Sequence, residues 1–201
     1  MLSNFALLIT PILATDFVLE KEFATVTCGS IIKLAHKPSG YYLHSHEVNY
    51  GSGSGQQSVT GFQGANDPNS YFAVFGEYQS YCTRGVSVQC GSTIRLKHSN
   101  TKKFLHSHKI QSPLSQQQEV SAYDVADTGD NWIVECKGKV WKREEPVSLK
   151  HVDTGAYLSS NTRYTYGNPI NGQLEVSGRY SKGENELWIA REGIYISIDY
   201  E

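Results

Sequence analysis

The residues best suited to chemistry in this chain are histidines, and all seven fall in a repeating frame. Four lie in two identical tetrapeptides, Leu43-His44-Ser45-His46 and Leu105-His106-Ser107-His108. The other three, His36, His98 and His151, each end a Leu-x-His triplet. Within a tetrapeptide the histidines are two positions apart, which on a strand puts both on one face. Paired imidazoles can ligate zinc or copper. A site needs a third and usually a fourth ligand, and the sequence places none, so neither a metal nor another cofactor is expected. The structural alternative is that one histidine of each pair hydrogen-bonds turn backbone inside the fold. The Leu-x-His histidines would do the same at hairpin ends.

Other chemistry finds less support. Ser45 lies between two histidines, but alternation along a strand aims it at the opposite face. The nucleophile elbow G-x-S-x-G and the zinc motif H-E-x-x-H are absent. No carboxylate pair stands out from the twenty acids. The run Gly51 to Gly55 (GSGSG) lacks the surroundings of a phosphate cradle and reads as a loop. A net charge of −2 gives no basic face for nucleic acid. The chain is therefore expected not to be an enzyme, and binding remains. Tyr50, Tyr164 and Tyr166 fall in or beside the loops after the histidine strands, where aromatic faces could stack on sugars or apolar side chains. The Gln-x-Trp pattern of ricin-type lectins is absent.

The elements that must carry these residues follow the same repeat. Each tetrapeptide is followed by a Gly/Ser/Pro-rich stretch, then by Gln-Gln-Ser-Val-Thr (Gln56 to Thr60) or Gln-Gln-Glu-Val-Ser (Gln117 to Ser121). A weaker third copy runs from Leu149-Lys150-His151 through Tyr157-Leu158-Ser159-Ser160 to Gln173-Leu174-Glu175-Val176-Ser177. Val59, Val120 and Val176 lie about sixty residues apart, the span of a multi-strand unit. Four strands read in each unit, making about twelve, and closure removes the long edges an open sheet would leave. The expected fold is an all-β trefoil, a single domain over residues 26–198 with units at about 26–85, 86–145 and 146–198. Leu34, Leu96 and Leu149 would fill one layer of the core, and Phe72, Trp132 and Trp188 another. The alternating stretch Ile194 to Ile198 reads as a closing strand.

The first residues differ from everything after them. Phe5 to Ala14 is a short apolar run ending in a small residue, which suits a signal peptide over residues 1–14. No Lys or Arg precedes it and Pro11 interrupts it, so a buried strand is the alternative. Residues 15–25 would be a linker. Four cysteines, none in a C-x-x-C pair, argue against zinc ribbons and thioredoxin-type chemistry. In a secreted chain they favour two disulfides, in a cytosolic one four reduced thiols. Cys28 and Cys90 open units one and two, while Cys82 and Cys136 lie near their ends. One bridge per unit, Cys28–Cys82 and Cys90–Cys136, is the favoured pairing of three possible ones.

At these residues the sequence resembles the MIR-domain family, most nearly its stromal cell-derived factor 2-like members. The segments that carry the likeness are Val26 to His36, Leu43 to Gly61, Cys90 to His98, Leu105 to Ala122, Ser148 to His151 and Asn171 to Gly178. The resemblance implies three MIR repeats in a β-trefoil and residence in the endoplasmic-reticulum lumen, or secretion. It implies work in secretory protein quality control, with Hsp40- and Hsp70-type chaperones and client polypeptides as partners. A mannosyl-glycan module, or an accessory to protein O-mannosylation, is the alternative. Two departures stand out. The chain ends Ile198-Asp199-Tyr200-Glu201 where some relatives carry a retention signal, so retention would need a partner. In unit three the histidine motif has become Leu158-Ser159-Ser160-Asn161, so any site built on histidine pairs is at most twofold.

Overall fold

The computed structural model describes residues 19–198. The expected signal segment 1–14 lies outside them. Twelve strands form in chain order: β1 (Ile31–His36), β2 (Tyr42–Asn49), β3 (Gln57–Phe62), β4 (Phe72–Gly76), β5 (Thr93–His98), β6 (Phe104–Gln111), β7 (Gln118–Tyr123), β8 (Trp132–Glu135), β9 (Pro146–His151), β10 (Tyr157–Thr165), β11 (Leu174–Arg179) and β12 (Trp188–Ile194). Each unit thus contributes four, with a single 3-10 turn before its last strand.

The pairings close on themselves. β1, β4, β5, β8, β9 and β12 join edge to edge into a six-stranded antiparallel barrel, β12 returning to β1. The hairpins β2–β3, β6–β7 and β10–β11 cover one end, where β3, β7 and β11 also pair with one another. This is a β-trefoil. Closure is what allows short, twisted strands to leave no long barrel edge exposed.

Alternation along the strands fills the barrel. Leu34, Leu96 and Leu149 are fully buried, as are Phe72, Trp132 and Trp188. The two indoles also satisfy neighbouring carbonyls: Trp132 Nε1 donates to Leu105 O at 3.0 Å and Trp188 Nε1 to Leu158 O at 2.9 Å. The end of the barrel from which β1, β5 and β9 start is closed by three residues that precede those strands. Val26 N donates to Trp141 O at 2.9 Å, Trp141 N to Val88 O at 2.8 Å, and Val88 N to Val26 O at 2.9 Å. The three side chains are buried beneath this ring of hydrogen bonds. Residues 15–25 are therefore not wholly a linker: Lys21–Phe23 form a 3-10 turn and Thr25 bridges to Lys142.

The closing strand differs from the sequence reading. β12 runs from Trp188 to Ile194, and residues 195–198 form no ladder. Alternation gave them a strand pattern, but β1 is already paired with both β4 and β12. The tail is fixed by hydroxyls instead. Thr27 Oγ1 donates to Ile196 O at 2.6 Å, and Ile196 N donates to Ser30 Oγ at 3.3 Å. The structure joins Cys28 to Cys82 and Cys90 to Cys136, one bridge in each of the first two units.

Candidate functional site

The Leu-x-His histidines occupy equivalent places at the ends of β1, β5 and β9. Each ring bonds its own hairpin turn through Nδ1: His36 to Ser39 Oγ at 2.8 Å, His98 to Thr101 Oγ1 at 2.8 Å, and His151 to Thr154 Oγ1 at 2.9 Å. Nε2 meets a carbonyl in the 3-10 turn of another unit: Asn185 O at 3.0 Å, Asn69 O at 2.9 Å and Gly129 O at 2.8 Å. A carbonyl only accepts, so Nε2 carries the proton and Nδ1 accepts from the hydroxyl. Each ring also packs on the aromatic of that same other unit: His36 on Trp188, His98 on Phe72, His151 on Trp132. The three histidines are clamps between units, closing a circle of three joints.

The paired histidines are placed differently from the expected contact with turn backbone. His44 Nδ1 meets Asp67 Oδ2 at 2.6 Å, and its Nε2 meets His46 Nδ1 at 3.0 Å. His46 Nε2 continues the chain to Ser58 Oγ at 3.1 Å, and Ser58 Oγ reaches Val48 O at 2.8 Å. In unit two His106 Nδ1 lies 3.0 Å from the fully buried Asp130 and 3.5 Å from Asp127. His108 Nε2 lies 3.3 Å from Glu119. The partner of each first histidine is thus a carboxylate of the 3-10 turn or of the residue that caps it, Asp130 or Asp67.

His106, Asp127 and Asp130 hold three possible ligand atoms within 4.8 Å of one another. Both carboxylates are already engaged in capping that turn. Asp127 Oδ1 accepts Gly129 N–H at 2.8 Å, and Asp130 Oδ2 accepts Asp127 N–H at 3.2 Å. The cluster is accounted for as a turn cap tied to a strand, and it carries no metal assignment.

Burial lowers His36, His46, His98 and His151 below the ordinary imidazole range. Burial lowers His44 to about 4, against the opposing pull of Asp67. Burial pushes Glu119 up, but hydrogen bonds from His108 and Ser54 outweigh it and hold it below the usual carboxylate range. All these shifts act in one direction on stability. The unfolded chain takes up protons first, so the imidazole share of stability is complete above the unfolded value of about 6.5 and is lost as pH falls below it, while the Glu119 share is lost only below the unfolded carboxylate value of about 4.3. The His44 share is exhausted near 4. The thermal midpoint is therefore expected to fall steadily between about pH 6.5 and pH 4. A flat midpoint across that window would show that the histidines are not held neutral in the fold.

Glu119 and Glu175 are functional positions the sequence reading passed over. They stand at the same place on β7 and β11, where unit one has Ser58. Glu175 accepts Leu114 N–H at 2.7 Å and Ser115 N–H at 3.0 Å. Glu119 accepts Ser54 N–H at 3.3 Å and the Ser54 hydroxyl. Each buried carboxylate thus holds the β2–β3-type loop of the preceding unit. The signal was present in the sequence as Glu before Val in Glu119-Val120 and Glu175-Val176, an acid inside a strand of the core.

The three tyrosines separate. Tyr50 is buried, its hydroxyl 3.0 Å from Val59 O and 2.9 Å from Val120 O. It lies where β3 and β7 meet around the pseudo-threefold axis and cannot serve as a binding loop. Tyr166 is its unit-three counterpart, with Ser112 between them in sequence order: their N–H groups make equivalent bonds to Gln56 O, Gln117 O and Gln173 O. The Tyr166 hydroxyl is enclosed beside that of Tyr50, and burial raises both well above the ordinary phenol range. The loop composition hid this, because β2 and β10 run past the expected strand ends and carry these residues back to the axis. Tyr164 alone is exposed, at 37%.

Tyr164 borders a cavity of about 170 Å³ where unit three departs from the histidine motif. Ser159 and Asn161 stand at the places of the two imidazoles, and Arg163, Arg179 and Asn185 complete the polar wall. Ser159 Oγ donates to the buried Glu186 at 2.7 Å. The equivalent groove in unit two is lined by His106 and His108. The structure therefore offers one polar cavity that the pseudo-symmetry does not repeat in kind.

Comparison with known proteins fits this geometry. A family model for the MIR domain matches residues 44–135. A stromal cell-derived factor 2-like protein of Dictyostelium discoideum is 51% identical over 183 residues, 88% of this chain and 86% of that protein. The crystal structure of the SDF2-like protein from Arabidopsis thaliana superposes with a TM-score of 0.85 at 44% identity, covering 88% of this chain and 99% of that one. A chain of the S. cerevisiae protein O-mannosyltransferase Pmt1-Pmt2 complex bound to the sugar donor matches with a TM-score of 0.79 at 29% identity. That match covers 91% of this chain and 27% of the other.

Proposed function

The chain belongs to the stromal cell-derived factor 2-like family of MIR-domain proteins, and from that membership we propose that it is a non-catalytic adaptor of secretory protein folding. It would work in the endoplasmic-reticulum lumen, or on the way out of it, beside Hsp40- and Hsp70-type chaperones and their clients. The observation that carries this reading is the likeness to stromal cell-derived factor 2-like proteins over nearly the whole described chain. Two disulfides in a chain of this size suit an oxidising compartment. The histidines support the non-catalytic part: six are engaged with turns, carboxylates or carbonyls of the fold, and His46 with His44 and the Ser58 hydroxyl.

Affinity capture of the tagged protein from its own cells, read by mass spectrometry, tests the adaptor. Lumenal chaperones are the expected companions. Recovery of cytosolic proteins alone would remove the reading. A second reading, a mannosyl-glycan module or an accessory to O-mannosylation, draws on the match to a region of the O-mannosyltransferase complex. Titration with mannosides separates the two, since the adaptor requires no sugar affinity.

A further inference from the structure

The cavity of unit three has an unequal supply of donors and acceptors. Both oxygens of Glu175 are taken by the Leu114 and Ser115 amides. Glu186 accepts the Ser159 hydroxyl, and Asn161 Oδ1 accepts the Arg163 N–H at 3.0 Å. Both oxygens of Glu175 and one of Glu186 are therefore already occupied. The charged donors are less fully engaged. Arg179, about half exposed, meets Glu186 only at 4.0 Å, the outer limit of an ion pair. The Arg163 guanidinium has no ion-pair or hydrogen-bond partner among the described residues, although it faces a wall that also holds Asn161 and Asn185.

Two guanidiniums at the mouth of a polar cavity match one kind of ligand best. A carboxylate offers two coplanar oxygens to the planar fork of arginine, and such pairs are short, directed and strong. A neutral hexose would leave the Arg163 guanidinium without a counter-charge, and the rim offers it a single aromatic, Tyr164, to stack on. The volume of about 170 Å³ suits one acidic side chain or one chain end, with the rest of the ligand outside. Arg163, Tyr164 and Arg179 are exposed, so that approach is open.

We propose that this cavity binds a carboxylate of a partner polypeptide, an acidic side chain or a terminal carboxyl group, through Arg163 and Arg179. The polypeptide source rests on the adaptor reading, whereas the carboxylate rests on the cavity alone. Pseudo-symmetry explains why only unit three would do this. In units one and two, histidines tied to acids occupy the place, and no arginine stands at the positions of Arg163 and Arg179.

The test titrates the full chain calorimetrically with three peptides of one sequence. One carries Asp and Glu side chains and an amidated end, one carries Asn and Gln and a free terminal carboxyl, and one carries neither charge. At least one of the first two is expected to bind, which identifies the source, and the third is expected not to. Arg163→Gln should weaken the bound peptide by about tenfold, the loss of one charge-assisted pair. Its thermal midpoint should equal that of the parent, because the side chain holds nothing in the fold. The double change Ser159→His with Asn161→His, which restores the motif of the other units, should abolish binding by filling the cavity. Equal binding of the uncharged peptide, or undiminished binding by Arg163→Gln, would overturn the proposal. So would binding of mannosides with no response to either charged peptide. None of these results bears on whether chaperones are captured from cells, so the two readings fail separately.

Discussion

Replacing Trp132 with alanine is expected to lower the unfolding free energy by about 3–5 kcal/mol, the usual cost of truncating a fully buried aromatic. Three losses combine at this position. The indole is completely enclosed in the barrel, so its removal leaves a void lined by leucine and valine. Its Nε1 donates to the Leu105 carbonyl, which would be left without that partner in the interior. Its face supports His151, whose ring lies 4.8 Å away and joins unit three to unit two. Trp132→Phe is the control, since unit one uses Phe72 at the same place without an indole N–H. It should cost much less, roughly 1–2 kcal/mol for the lost hydrogen bond and the smaller ring. Urea titrations give both values. An alanine variant with the parent midpoint would contradict the placement of this side chain at the centre of the core.

Reducing the two disulfides is expected to cost about as much for each bridge. The cysteines are 54 and 46 residues apart, and closing loops of that size stabilises a fold by about 4 kcal/mol in the chain-entropy account. Domains of this kind are stable by only about 5–15 kcal/mol, so losing both bridges should leave the protein marginal or unfolded at physiological temperature. The effect should be uneven. Units one and two are each stapled, while unit three has no cysteine and holds by packing and by the Glu175 loop contact. Denaturant titrations with and without reductant measure the loss. Protection of β10 and β11 amides from exchange in the oxidised state should be no lower than in β6 and β7 if packing alone suffices there. Identical unfolding of oxidised and reduced protein would mean that the bridges do not constrain the unfolded chain.

Much of the architecture could be read from the sequence because one pattern was written three times. The Leu-x-His triplets mark the ends of β1, β5 and β9, and the matched leucines and aromatics mark the barrel layers. What could not be read depended on residues distant in sequence or irregular in form. Asp67 and Asp130 meet His44 and His106 across 23 and 24 residues, from 3-10 turns that have no periodic signature. The ring of Val26, Val88 and Trp141 comes from residues outside any strand, and although Val26 and Val88 both open a Val-x-Cys-Gly-Ser stretch, the Trp141 stretch shares nothing with it. The place of Tyr50 is hidden in the sequence because its Gly and Ser neighbours suggest an exposed loop, whereas a register shift between Ser45 and Asn49 returns the chain to the axis. The residues 195–198 alternate like a strand, but no free edge awaits them.

The joint between the first and last strands has a mechanical consequence. β1 and β12 run antiparallel, and Ile31 faces Ile194 at the end where both leave the barrel. Force applied to the two ends of the chain therefore does not load all the bonds of this pair together. It opens them one after another from Ile31 inward, as a zipper opens, and parts His36 from Asn185 last. A barrel that resists heat through its enclosed core is thus built to yield to tension at a single seam. The tear can lengthen the first unit only so far, because the covalent link between Cys28 and Cys82 carries the pull across its 54 residues without paying them out.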